Sequence, residues 1–333
     1  MKVLITGGAG FLGQRLLTAL LDAGTLRGVN GRDEVIDEIV LLDVVAARRS
    51  DDARVRMQVG DISQRGVVEQ AIDQKTQLIF HLAAVVSGQA ETDFELGMRI
   101  NLDASRLILD VCRLAGHRPR VVFTSSVAVY GGAPSEDVGD STALKPQSSY
   151  GVQKAMGELL LQDYTRRGYV DGRVLRLPTI SVRPGRPNAA ASSFASGIVR
   201  EPLNGEVALC PVNGETKVWL LSPKRAVECL IRGAEIKESA IGDKRCINLP
   251  GLSVTVNEMV CALKSVAGDV VASRIEWKSD PRVEQIVASW PGAWDISSAI
   301  ELGFEADSSF EDVIRNFIDE TADDRRQKRD GAV

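Results

Sequence analysis

An apolar run, Lys2-Val-Leu-Ile-Thr6, passes directly into Gly7-Gly8-Ala9-Gly10-Phe11-Leu12-Gly13, and no other feature limits the fold as much. Leu12, Leu16, Leu17, Leu20 and Leu21 follow at helical spacing, and Gly24 marks the stop. A strand, a glycine turn and an amphipathic helix in that order start a parallel sheet. The turn also has the make-up of a dinucleotide cradle. Gly7 allows the tight turn, Gly10 lets backbone approach a pyrophosphate, and Gly13 lets the helix pack close to the strand. The unpaired N–H groups of the helix start then face the phosphates. Alone, such a loop is a weak signal, since a structural turn in some other α/β protein would account for it about a third of the time.

The 333 residues, 44% hydrophobic and 26% charged, suffice for one large domain or two smaller ones. A net charge of -5 without a basic stripe argues against nucleic acid or an anionic membrane as partner. The opening apolar run is too short for a signal segment, and no later run is long enough to span a bilayer. Cys112, Cys210, Cys229, Cys246 and Cys261 are odd in number and widely spaced, so neither a disulfide frame nor a zinc site is expected, and a reducing cytoplasm is the expected setting. The two histidines are His81 and His117. His81 ends the strand Leu78-Ile-Phe-His-Leu82, where a packed or backbone-bonded ring is expected; no metal is assigned.

Apolar runs then alternate with helical periodicity, which implies a doubly wound parallel sheet with right-handed crossovers. The strand Glu38 to Asp43 ends in a carboxylate suited to both hydroxyls of an adenosine ribose. Val55 to Val59 ends at Gly60-Asp61, where a side chain can meet an adenine edge, and the fourth strand ends at Leu82-Ala83-Ala84, small residues that let backbone lie against a cofactor. A long helix is expected from about Glu91 to Ala115, with Asn101 as a structural tie to a neighbouring loop. The fifth strand, Arg120 to Ser126, carries Ser125 and Ser126 to the sheet's carboxyl edge, where open α/β sheets bind ligands.

Tyr150 and Lys154 sit on a segment of helical pattern, and four residues of spacing put both on one face. An ordinary tyrosine titrates near ~10 and is a poor base at neutral pH. Bringing it near 7 takes about 4 kcal/mol of preference for the phenolate, which an ammonium and a nicotinium nearby can provide. Lys154 would also hold the nicotinamide ribose, and Ser126 would orient a substrate hydroxyl for proton loss to Tyr150. A Tyr-x-x-x-Lys pair alone is common surface decoration; with the glycine turn and Ser126 upstream, chance becomes a minor reading.

Together, Thr6 to Gly13, Asp43, Gly60-Asp61, His81 to Ala84, Ser125-Ser126, Val129-Tyr130-Gly131 and Tyr150 to Lys154 resemble the extended short-chain dehydrogenase/reductases of the NAD-dependent epimerase/dehydratase group. Asp295 to Phe304 and the Phe310 helix resemble that group's closing segment. The resemblance implies NAD as cofactor, held by Gly7, Gly10, Phe11, Leu12, Gly13, Asp43, Asp61, Ile62, Ala83, Ala84, Ser125, Tyr150, Lys154, Pro178 and Ile180, and a catalytic set of Ser126, Tyr150 and Lys154. It implies a homodimer as well. Leu41 to Val45 and Leu175 to Gly185 most resemble a subgroup that oxidises a four-carbon sugar acid at carbon 2. Asp43 favours NAD over NADP, with Arg48 and Arg49 as the opposing indication.

Departures from the group's pattern point the same way. Where nucleotide-sugar members carry an acid and a histidine, this chain has Lys217-Val-Trp-Leu-Leu221, and Leu177 to Gly185 replaces their usual Asn-x-Tyr-Gly-Pro. A small anionic sugar acid is expected, its carboxylate paired with Arg183 or Lys217, although either could be a solvated surface cation. The expected architecture is α/β: a Rossmann-type doubly wound sheet over residues 1–178, joined by a strand near 244–249, with a smaller substrate-binding portion mainly in 179–333. Thr255 to Glu258 reads as a capping box, and the charge run from Ala322 as a frayed end. A nucleotide-sugar epimerase or dehydratase with bound NAD would share this machinery. A non-catalytic NAD sensor would have no need of Ser126, Tyr150 and Lys154 together.

Overall fold

The computed structural model describes residues 1–47, 50–132, 138–185 and 190–330, with 323–330 as backbone only. Arg48 and Arg49 lie outside the described residues. The main sheet has seven parallel strands in the order Cys246–Asn248, Asp171–Leu177, Arg120–Ser126, Thr76–His81, Lys2–Thr6, Glu38–Asp43 and Val55–Val59. From Lys2–Thr6 the chain winds outward to Val55–Val59, then crosses back to Thr76–His81 on the other side. The glycine loop stands at that reversal, where doubly wound sheets leave a crevice.

The inner strands Lys2–Thr6 and Glu38–Asp43 are apolar on both faces because both faces are covered. Val3 and Ile5 join a core with Leu16 and Leu20 of helix Phe11–Ala23 and Leu230 of helix Pro223–Glu235. Leu4 points the other way, into a core with Val68, Ile108 and Leu161. The same alternation sends Ile39 and Leu41 to the first core and Val40 and Leu42 to the second.

A third core lies in the later half of the chain. It is built from helices Phe194–Leu203, Val256–Ala267 and Phe310–Asp330 with strand Lys217–Leu221, which pairs with Leu252–Thr255 and Thr179–Ile180. Thr255 and Glu258 form the capping box of helix Val256–Ala267. Helix Pro223–Glu235 and strand Cys246–Asn248, both beyond residue 178, pack with the main sheet instead. Two elements differ from expectation. The helix expected over 91–115 is interrupted at Asp93, which leaves helical geometry and accepts from the Leu96 amide, and then runs from Phe94 to Ala115 through a π-helical stretch Met98–Asp103. The charge run from Ala322 is helical to Asp330.

Candidate active site

Gly7 adopts φ of 70°, and a β-carbon there would stand 2.9 Å from the Ala83 nitrogen, so the first turn accepts only glycine. The Gly7 amide donates to the Leu42 carbonyl at 2.9 Å, which ties the loop to the neighbouring strand. A β-carbon on Gly13 would come within 2.9 Å of the Gly8 α-carbon, so the helix start lies directly on the loop. Gly10 precedes Phe11–Ala23 in extended geometry and offers no side-chain cap. The first-turn amides therefore stay available to an anion.

A cavity of about 460 Å³ runs from this loop along the carboxyl ends of the strands. It is lined by Gly7, Gly10, Phe11, Leu12 and Gly13, by Ala84, Ser125, Pro178 and Ile180, and by Ser126, Tyr150, Lys154 and Arg183. This continuous cradle, closed to any β-carbon at Gly7 and Gly13, fits the dinucleotide expected from the sequence. The residues expected on the adenosine side, Asp43, Asp61, Ile62 and Ala83, are not among those lining this cavity. Asp43 accepts from the Ala9 amide at 3.0 Å, and Asp61 is held by Ser63 and by Arg99 at 2.7 Å. Ile62 is buried in the second core, and Ala83 donates its amide to Thr6 Oγ1 at 3.2 Å.

Ser148 accepts from the Gly151 amide at 3.2 Å and caps helix Ser149–Arg166, which presents Tyr150 and Lys154 to the cavity one turn apart. Ser126 accepts from the Ala128 amide at 3.2 Å and also hydrogen-bonds the Tyr150 hydroxyl. Burial pushes the Tyr150 phenol up to about 12, against the lowering pull of the Ser126 hydrogen bond and Arg183. The direction is opposite to the shift a base at neutral pH requires, so the chain alone does not create the phenolate. Burial also brings Lys154 down to about 8, with Glu158 opposing; its Nζ lies 4.8 Å over the Phe123 ring and 5.7 Å from the Tyr150 ring centre.

Ser125 and Ser126 are adjacent in a strand and must face opposite ways. The Ser125 hydroxyl donates to the buried Glu158 at 2.5 Å, leaving its backbone for the cavity. Asn101 is a structural tie: it accepts from the Val85 amide at 2.8 Å and donates to Gln153 Oε1 at 2.7 Å. His81 is buried between Thr6 Oγ1 at 2.7 Å and Ser105 Oγ at 2.9 Å. The Ser105 proton goes to the Asn101 carbonyl at 2.7 Å, so Ser105 accepts from Nε2–H and Thr6 donates to Nδ1. Burial and the nearby Lys154 push the ring down to about 3, and it stays neutral. The bonds run to hydroxyls, not to backbone. Among the described residues no cluster of His, Cys, Asp or Glu could hold a metal, and no helix is long and apolar enough to cross a membrane.

The two expected carboxylate partners separate. Arg183 lines the cavity and its pKa is lowered, first by desolvation and then by Arg200, with Tyr150 opposing. Lys217 does not reach the cavity; it is the exposed first residue of its strand, its β-carbon beneath Gly292. Arg200 went unnoticed in the sequence. It is buried, lines the cavity, donates to the Arg183 carbonyl at 2.7 Å and pairs with Glu201 at 2.5 Å.

A reversing sheet with a glycine cradle opening onto Ser126, Tyr150 and Lys154 defines an NAD-dependent enzyme class. The chain belongs to the NAD dependent epimerase/dehydratase family, whose model matches residues 3–226, and NAD is its cofactor. It is 61% identical over 320 residues to a D-erythronate dehydrogenase of Cupriavidus necator, covering 96% of this chain and 98% of that one. A D-erythronate dehydrogenase of Haemophilus influenzae is 46% identical over 320 residues, 96% and 99% of the two chains. The crystal structure of a nucleoside-diphosphate-sugar epimerase from Agrobacterium tumefaciens superposes with a TM-score of 0.89 at 42% identity, covering 96% of this chain and 94% of that one.

Proposed function

We propose that this enzyme is an NAD-dependent dehydrogenase that oxidises the C2 hydroxyl of a small sugar acid, D-erythronate, to 2-dehydro-D-erythronate. The observation that carries the reading is one cavity joining Ser126, Tyr150 and Lys154 to the cations Arg183 and Arg200. The identity to the Cupriavidus necator dehydrogenase supports the substrate.

In this reading Ser126 holds the C2 hydroxyl and Tyr150 takes its proton. Moving Tyr150 from about 12 to near neutrality requires about 7 kcal/mol of phenolate stabilisation. Lys154, Arg183 and Arg200 are the cations on the cavity wall among the described residues. NAD, when bound, supplies the hydride acceptor and a positive charge beside the phenol. The amides from Gly10 to Gly13 would hold its pyrophosphate, and Asp43 and Lys154 its riboses. Arg183 pairs with the substrate carboxylate where water is largely excluded. The sheet with its returning strand would form the cofactor part, and the third core, with Arg183 and Arg200 on the cavity wall, the substrate part.

The Agrobacterium tumefaciens structure, named for an epimerase, gives a second reading in which the hydride returns to the sugar. Incubation with NAD and a panel of four- to six-carbon sugar acids, and in parallel with nucleotide sugars, tests both. Sustained NADH formation with D-erythronate supports the dehydrogenase; isomerised nucleotide sugar without net NADH supports the epimerase. Val152 and Leu159, exposed seven residues apart along helix Ser149–Arg166, support pairing with a second copy through that helix, which sedimentation of the wild type against Leu159→Glu tests.

A further inference from the structure

We propose that Trp290 sets the length of the sugar acid the site accepts, an inference that rests on the dehydrogenase reading above. Trp290 is half-buried and lines the cavity that holds Tyr150 and Arg183. Among the described residues, every other side chain lining that cavity lies at or before Arg200. The later part of the chain thus contributes one wall, and it is an indole.

The wall is fixed from both sides. Trp290 follows helix Pro281–Ala288, and its amide closes onto the Val287 carbonyl at 3.1 Å. That helix packs on the turn Ala191–Ser193, and Ser192 of the turn lines the same cavity. On the other side, a β-carbon at Gly292 would stand 2.6 Å from the Lys217 β-carbon, so the backbone is pressed against strand Lys217–Leu221. Trp294 is buried, and its Nε1 donates to the Leu249 carbonyl at 2.7 Å. Its ring meets Tyr130 at 6.0 Å and Trp219 at 5.6 Å. Trp290 itself packs against the cluster around Val127 and Tyr130 and against the third core. Swinging the indole aside would dismantle these contacts, so it acts as a wall and not as a lid.

A sugar acid gripped at its carboxylate by Arg183 and at its C2 hydroxyl by Ser126 and Tyr150 must place its remaining carbons in what is left of the cavity. The indole takes more room than the two carbons that separate a four-carbon acid from a six-carbon one. The test is kcat/KM with NAD for four-, five- and six-carbon acids of one C2 configuration, using wild type, Trp290→Ala and the milder Trp290→Leu. The wild type prefers the four-carbon over the six-carbon acid by about tenfold or more. Either folded variant shrinks that ratio by about tenfold, through a lower KM for the longer acid. A ratio unchanged in variants still active on the four-carbon acid overturns the length role and leaves the dehydrogenase reading standing. Equal use of both lengths by the wild type does the same and needs no variant. A wild type that oxidises no sugar acid overturns both.

Discussion

Arg200 donates from Nη1 to the backbone carbonyl of Arg183 at 2.7 Å, so one buried guanidinium braces the residue that carries another. Glu201 is ion-paired with Arg200, and Arg183, itself desolvated, shares the cavity wall with Tyr150. Arg183→Ala is expected to raise KM for the sugar acid, at a cost of roughly 2–5 kcal/mol in kcat/KM, with NAD affinity little changed. Lys217→Ala is expected to leave both constants near wild type, since Lys217 is exposed at its strand's start. Steady-state kinetics with D-erythronate and its uncharged aldose separate the two; equal turnover of the aldose would remove the case for an acidic substrate.

Tyr150→Phe keeps the ring and removes the proposed proton acceptor. It is expected to lower kcat by about two to four orders of magnitude while NAD binding, followed by fluorescence titration, stays near wild type. Near-normal turnover in this variant would contradict the assignment of the base.

Lys154 is buried and its pKa lies at about 8 against an ordinary 10.5. Between those values the unfolded chain binds more protons, so this group's contribution to stability rises with pH across that interval. Lys154→Met is therefore expected to raise the melting temperature of the cofactor-free protein at pH 7, by up to roughly 3 kcal/mol of stability, while turnover collapses. A lower melting temperature would show that the ammonium is stabilised in the fold and not strained.

Asp171 is the reverse case, a charged form that the fold stabilises. Arg120, Arg173 and Arg245 pair with it at 2.8, 2.8 and 2.7 Å. Desolvation pulls its pKa up, but Arg173 and Arg120 overcome this and hold the carboxyl below its usual value. Its stabilisation is complete above the unfolded pKa of about 3.9 and is lost as pH falls through the lower folded value. Asp171→Asn leaves three guanidiniums short of a partner and is expected to cost roughly 3–5 kcal/mol, read from urea unfolding at pH 7. A loss below 1 kcal/mol would mean that the cluster is solvated in solution.

The cofactor end of the site was largely legible in the sequence because backbone geometry dictates residue type there: Gly7 and Gly13 sit where a β-carbon would collide, and the period-two alternation of Val3, Leu4 and Ile5 marks a strand covered on both faces. The substrate end was less legible. Arg200 lies inside helix Phe194–Leu203, where an arginine reads as a surface cation, although the buried neighbours Ile198, Val199 and Pro202 signal a covered segment. Lys217 stands in a segment that departs from the family pattern at the acid and the histidine, and the exposed-then-buried run of its strand keeps it outside. The break at Asp93 is invisible to periodicity because apolar spacing resumes beyond it. Trp290 lies in a stretch without a period, and only the tertiary docking of Gly292 and Trp294 gives its position a meaning.

The central claim is hydride removal from carbon 2 of a sugar acid, and D-erythronate carrying deuterium at C2 tests it most directly. With wild-type enzyme and NAD, the deuterium is expected to leave the acid and appear in the reduced cofactor in step with 2-dehydro-D-erythronate, and with Tyr150→Phe to do so about two to four orders of magnitude more slowly. Deuterium retained in the acid while the cofactor ends oxidised would contradict the claim.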